Sequence, residues 1–142
     1  MIRLAATTDI KRLAELFTNE PFLLGSAADF YTENDILQYL SCETKRFFVY
    51  EKDETVVGAL LVDLLLLSRE IHIAILVVDK AWQGRGIGQE FMDHVGNLAK
   101  THGITLLSSF TEETNARMMR VFEKNGYVKG KSFAYYAKVL KP

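Results

Sequence analysis

Apolar residues recur along the chain with two periods, about two residues and about 3.6 residues, and the switches between them mark the elements. Ile2 to Leu4 reads as a short strand, after which Asp9 stands as an N-cap ahead of Ile10, Leu13, Ala14 and Phe17 at helical spacing. Phe22 to Tyr31 has poor periodicity and reads as a loop or irregular helix. A second helical piece is predicted over Asn34 to Leu40, with Ile36, Leu37 and Leu40 inward. Phe47 to Tyr50 and Val56 to Leu67 read as strands, and the short polar turn Glu51-Lys52-Asp53-Glu54 makes them an antiparallel pair. The apolar run up to Leu67 reads as a buried central strand. Ser68-Arg69-Glu70 then turns the chain into the strand Ile71 to Val78. From Gly86 to Lys100 the residues Ile87, Phe91, Val95, Leu98 and Ala99 form one helical stripe, and Gly103 marks its stop. Ile104 to Phe110 is a predicted strand, Asn115 to Lys124 a helix and Phe133 to Leu140 a last strand. The order predicts an α+β fold, a three-layer α/β/α sandwich with helices on both faces of a mixed, mostly antiparallel sheet.

Composition narrows this picture modestly. A chain of 142 residues with 2 Pro, no internal repeat and no linker-like tract is expected to form a single domain over residues 1–142. The formal charge of -1 gives no global attraction to nucleic acid or an anionic membrane, so neither is an expected partner. Cys42 is the single cysteine, which excludes an internal disulfide and suits a reducing, cytoplasmic setting. The start Met1-Ile2-Arg3-Leu4 lacks the pattern of a signal peptide, and the longest apolar run is interrupted by Asp63 and too short to cross a bilayer. His94 and His102 have no carboxylate or cysteine pattern around them, so no metal is expected.

Candidate chemistry concentrates in Gln83-Gly84-Arg85-Gly86-Ile87-Gly88, between the strand ending at Val78 and the helical stripe. Glycines at alternate positions let backbone N–H groups point into one hollow, and the helix start adds unpaired N–H groups and a positive dipole end. An anion, most simply a pyrophosphate, is expected there. A dinucleotide turn would space its glycines as Gly-x-Gly-x-x-Gly, and a triphosphate loop would continue into Gly-Lys-Ser/Thr. Here the chain reads Gly84-x-Gly86-x-Gly88 and then Gln89-Glu90, which fits neither.

The pattern Gln-x-x-Gly-x-Gly, met by Gln83, Gly86 and Gly88, resembles the acetyl-CoA-binding motif of the GNAT superfamily of N-acetyltransferases. Leu76 to Trp82 resembles that family's fourth strand and approach loop, with Lys80 where a Pro is usual. Asn115 to Tyr127 resembles its later helix, which starts on Asn and closes on Glu-Lys-x-Gly-Phe/Tyr. The resemblance implies a sheet whose fourth and fifth strands splay apart to admit the pantetheine arm of acetyl-CoA. It places the backbone of Leu76, Val77 and Val78 at the pantetheine amides, Gln83, Gly84, Arg85, Gly86, Ile87 and Gly88 at the pyrophosphate, and Asn115 near the pantetheine. Phe122 stands where many members carry a Tyr that protonates the leaving thiolate, and is expected to line the cofactor without a proton to give.

The implied chemistry is acetyl transfer to a primary amine in a ternary complex. An amine with a pKa of about 10.4 must lose a proton before it attacks, so a base or a water chain leading to one is needed. His72 is the candidate base, by its position relative to the family's glutamate and its parity with Leu76 on one strand. The Val78 N–H is the expected oxyanion donor. Tyr127 and Tyr136 are the other candidate acids. Acceptor selectivity is expected from Phe17 to Tyr39, with Phe22, Phe30, Tyr31 and Tyr39, and from Gly126 to Ala137. Glu112 and Glu113, if they face the cleft, favour cationic amines. A non-catalytic acyl-CoA sensor is the alternative reading, kept open by Phe122. The edge of the last strand leaves a homodimer open as well.

Overall fold

A computed structural model describes residues 1–19, 32–136, 138 and 140. Expectations for Phe22, Phe30, Tyr31 and Ala137 lie outside the described residues. Strands β1 (Ile2–Leu4), β2 (Lys45–Lys52), β3 (Thr55–Leu65), β4 (Glu70–Val78) and β5 (Leu106–Ser109) form one sheet in chain order. Neighbours are antiparallel except β4 and β5, which run parallel across the crossover helix α3 (Ile87–His102). On that face Ile87, Phe91, Met92, Val95 and Ala99 of α3 form a core with Leu60, Val62, Leu64, Ile71 and Ile73, and Val121 and Phe122 of α4 (Ala116–Lys124) pack against it. On the other face Leu13, Leu16 and Phe17 of α1 (Ile10–Thr18) and Ile36 of α2 (Glu33–Leu40) pack on Phe47, Val49, Leu61, Ile75 and Val77. The three layers follow from β3, whose buried apolar run supplies side chains to both faces.

Two devices shape the sheet around its far end. Leu61 opposes Ile75 and Val62 opposes Ile73, so Ala74 is an extra, unopposed residue in β4. Such a bulge reverses the facing of every later side chain on that strand. Ile71 and Ile73 accordingly belong to the α3 core, while Ile75 and Val77 belong to the α1 core. The second device is Gly58 of β3, where a Cβ would lie 3.0 Å from the Phe91 ring and 3.1 Å from the Val77 carbonyl. Only glycine lets the first turns of α3 settle this close to the sheet.

The β2–β3 hairpin closes on the pair Lys52 and Thr55, with Asp53 (φ 49°) and Glu54 (φ 61°) both left-handed. This is the twist that a two-residue hairpin needs, made here without glycine.

The structure departs from the pattern-based reading at five places. Asp9 does not cap α1 with its side chain; its carboxylate accepts from the Ala6 N–H and from Arg3, after a 3-10 turn over Thr7–Asp9. Thr32 caps α2, and Leu37 is 46% exposed because the helix lays only Ile36 fully against the sheet. β3 stops at Leu65, and Leu66 and Leu67 are exposed in the turn that Leu65 and Glu70 close. Met92 joins the buried stripe of α3, where Leu98 is only partly covered. Among the described residues of the expected strand Phe133 to Leu140, none is in a strand, and Phe133, Tyr135, Tyr136 and Leu140 are exposed. A run of strand-favouring residues forms a strand only where a neighbour offers its backbone edge, and the local sequence does not specify one.

Candidate functional site

The ladder between β4 and β5 covers only Glu70 to Ile73, opposite Leu106 to Ser109, and ends where the Ala74 bulge begins. Beyond it the two strands part. The Asp79 N–H donates to the Val57 carbonyl at 2.8 Å, and Gly58 and Val78 are the next partners in register. Antiparallel pairs alternate between bonded and non-bonded, so Val77 spends its backbone groups on Ala59, while Leu76 and Val78 turn theirs into the gap. The Val78 carbonyl fits this alternation, since it accepts from Gln83 Nε2 at 2.9 Å. Of the three strand residues expected at the pantetheine, Leu76 and Val78 present backbone to the gap and Val77 does not.

The glycine turn closes one end of that gap. Gly84 (φ 76°) and Gly86 (φ 86°) hold left-handed backbone, and Gly86 is the N-cap of α3 with no side chain to occupy the first-turn N–H groups of Ile87 and Gly88. Ile87 itself is anchored in the α3 core. A Cβ on Gly84, Gly86 or Gly88 would meet no atom within 4 Å, so the hollow above the turn is open. Gln83 braces the turn from both sides, giving Nε2 to Val78 and accepting from Arg117 of α4 through Oε1. The Arg85 guanidinium lies 4.7 Å from the Trp82 ring centroid, which holds a cation beside the hollow. Unpaired N–H groups, a helix start and this cation together suit a diphosphate.

Asn115 caps α4, its Oδ1 accepting from the Met118 N–H at 3.2 Å. Phe122 packs against the α3 core with its ring centroid 5.2 Å from that of Tyr127. The Tyr127 hydroxyl is buried without a hydrogen-bond partner among the described residues, and burial raises its pKa and keeps the phenol protonated. Tyr136 is 89% exposed. Glu113 accepts from Ser132 and pairs with Lys129, which holds its carboxyl below the usual range.

His72 sits elsewhere. The bulge lies between it and Leu76, so the two side chains face opposite sides of the sheet and the parity expected of them does not hold. His72 opposes Asp63 of β3, its Nδ1 is 3.0 Å from Ser108 Oγ of β5, and its ring is 5.2 Å from that of Phe110. Ser108 in turn donates to Glu70.

Two groups at the site were not foreseen from sequence. Arg12 of α1 donates to Asp79 at 2.5 Å and to the Val56 carbonyl at 2.9 Å, tying α1 to the end of β4. The Ala81 N–H and this guanidinium hold the Asp79 carboxyl below its ordinary value. Beside it a cavity of about 250 Å³ opens, lined by Arg12, Leu16, Asn19, Val78 and Lys80 among others. Ser108 was the other, visible only as one of two adjacent serines, Ser108 and Ser109, in the predicted strand Ile104 to Phe110. Among the described residues, no group of three His, Cys, Asp or Glu converges as metal ligands would, and no helix is long and apolar enough to cross a membrane.

The sequence profile of the acetyltransferase (GNAT) family matches residues 10–127. No curated protein sequence matches the chain. Among solved structures, a transcriptional regulator from Bacillus halodurans C-125 is similar at a TM-score of 0.83 and 19% identity, over 97% of this chain and 99% of the other. An aminoglycoside acetyltransferase from an uncultured soil metagenomic sample, in complex with trehalose, is similar at 0.78 and 18% identity, over 99% and 96%. The paia N-acetyltransferase from Thermoplasma acidophilum, in complex with coenzyme A, is similar at 0.78 and 16% identity, over 89% and 87%. At such identities the likeness speaks for the fold.

Proposed function

The chain belongs to the acetyltransferase (GNAT) family, and on that footing we propose that it moves the acetyl group of acetyl-CoA to a primary amine of a small molecule or peptide, by direct attack in a ternary complex. One observation carries the reading. The unpaired end of β4 turns the backbone of Leu76 and Val78 into a gap that ends at an open, glycine-lined hollow.

The residues present fit acetyl-CoA, which supplies an activated thioester. Leu76 and Val78 would hold the pantetheine amides, as an added strand is held. Gln83 to Gly88 would hold the pyrophosphate through backbone N–H groups, with Arg85 nearby, and Asn115 and Phe122 would line the arm. The Val78 N–H would donate to the carbonyl oxygen as charge builds on it. The cavity by Val78 on the α1 side is the proposed entry for the amine. His72 serves as the proton acceptor; at roughly 3.3 Å per strand residue it lies about 13 Å from Leu76, so the proton travels through water. Phe122 has no proton to give and the Tyr127 phenol is buried, so solvent protonates the leaving thiolate, for which a thiol pKa near 8.5 suffices. Similar structures that are named as an aminoglycoside acetyltransferase and an N-acetyltransferase support an amine as acceptor.

Calorimetric titration with acetyl-CoA, followed by thiol release against a panel of amines, tests this reading. Saturable one-site binding and CoA release above background are expected. Absence of binding overturns it, and binding without release by any amine replaces it with the sensor.

A further inference from the structure

The chain Glu70, Ser108 and His72 crosses from β4 to β5 and back, and nothing in the glycine turn or the gap requires it. Leu106 and Ser108 pair in parallel register with Glu70 and His72, which brings three polar side chains onto the α1 face of the sheet. A serine hydroxyl carries one proton. Here Ser108 gives that proton to Glu70 Oε2, since a carboxylate only accepts. The contact of 3.0 Å between Ser108 Oγ and His72 Nδ1 must then be donated by the imidazole. A neutral ring protonated on Nδ1 has its lone pair on Nε2, and Nε2 makes no hydrogen bond to any described residue.

The geometry points to Ser108 and Glu70 as positioning residues that fix the tautomer and orientation of His72, so that Nε2 is the free basic nitrogen. The inference rests on the proposed role of His72 as proton acceptor. In the transfer, a water hydrogen-bonded to Nε2 gives its proton to that nitrogen while taking one from the attacking amine. The imidazolium then holds a proton on each nitrogen, with the Glu70 carboxylate at the far end of the chain. Other charged groups facing the ring are Asp63 on β3, opposite His72 in register, and Lys45 on β2, paired with Asp63. Tyr39 of α2 lies beneath Lys45, 5.8 Å from its Nζ.

Long-range proton–nitrogen NMR of histidine-labelled protein, with His72 assigned by the His72→Ala spectrum, reads the tautomer directly. At alkaline pH, wild-type His72 is expected to carry its proton on Nδ1, and Ser108→Ala to lose that signature while Ser108→Thr keeps it. Glu70→Gln frees the hydroxyl to turn, and is expected to mix the two tautomers. Ser108→Ala and Glu70→Gln should each lower kcat at least about tenfold with KM for acetyl-CoA unchanged, and Ser108→Thr should restore it. A proton on Nε2 in the wild type, or a fall in kcat with the tautomer unchanged, overturns the inference. Unchanged turnover in His72→Ala instead overturns the base role beneath it, and is told apart because the wild-type spectrum then still shows the Nδ1 proton.

Discussion

Gly88 occupies the second position of α3 in ordinary helical backbone, and a methyl group there would meet no protein atom within 4 Å. Folding alone therefore favours alanine at this site, by up to about 1 kcal/mol of helix propensity. The same methyl would project over the hollow where a pyrophosphate is proposed to sit. Gly88→Ala is expected to raise the melting temperature slightly and to weaken acetyl-CoA binding. Thermal denaturation and calorimetric titration of one variant check both signs, and unchanged affinity would remove Gly88 from the proposed cradle. Gly86 differs in kind, because its left-handed φ makes any side chain unfavourable before a ligand is considered.

Among the elements, the β2–β3 hairpin holds recoverable stability. Asp53 and Glu54 adopt left-handed backbone that glycine adopts more readily, so Glu54→Gly is expected to stabilise the protein by about 0.5–1 kcal/mol in urea denaturation. The polar turn was legible in the sequence, and so were the α3 stripe, the glycine entry and the Asn115 helix start. Each depends on residues within a turn or two of one another. The bulge was not legible. Ile71, Ile73, Ile75 and Val77 alternate without a break and are all buried, yet the first two serve one core and the last two the other. With both faces apolar, the alternation carries no phase, and an extra residue leaves it intact. The same concealment gave His72 and Leu76 a false common face. Contacts such as His72 with Ser108, 36 residues apart, depend on a strand register that no local pattern encodes.

At the scale of the whole molecule, Arg3 of β1 binds Asp9 of the turn before α1 and Glu51 of β2, so one guanidinium joins three segments. The hydrogen bond from Arg3, reinforced by the Ala6 N–H, holds the Asp9 carboxyl below its ordinary value against the opposing effect of burial. A depressed carboxyl binds its proton more weakly when folded than unfolded, so its contribution is complete above the unfolded value near pH 4 and fades as pH falls through the folded one. Asp9→Asn is therefore expected to be less stable than the wild type at pH 7, with the gap narrowing below about pH 4 in chemical denaturation at several pH values. An unchanging gap would mean that packing, not ionisation, is what Asp9 contributes. The Ala74 bulge reaches further still, because the ladder between β4 and β5 ends where this unopposed residue begins. In the gene that residue is a single codon. Its in-frame loss is expected to leave both halves of β4 facing as they do now, to let the ladder with β5 run on past Ile73, and so to close the gap through which a cosubstrate would enter.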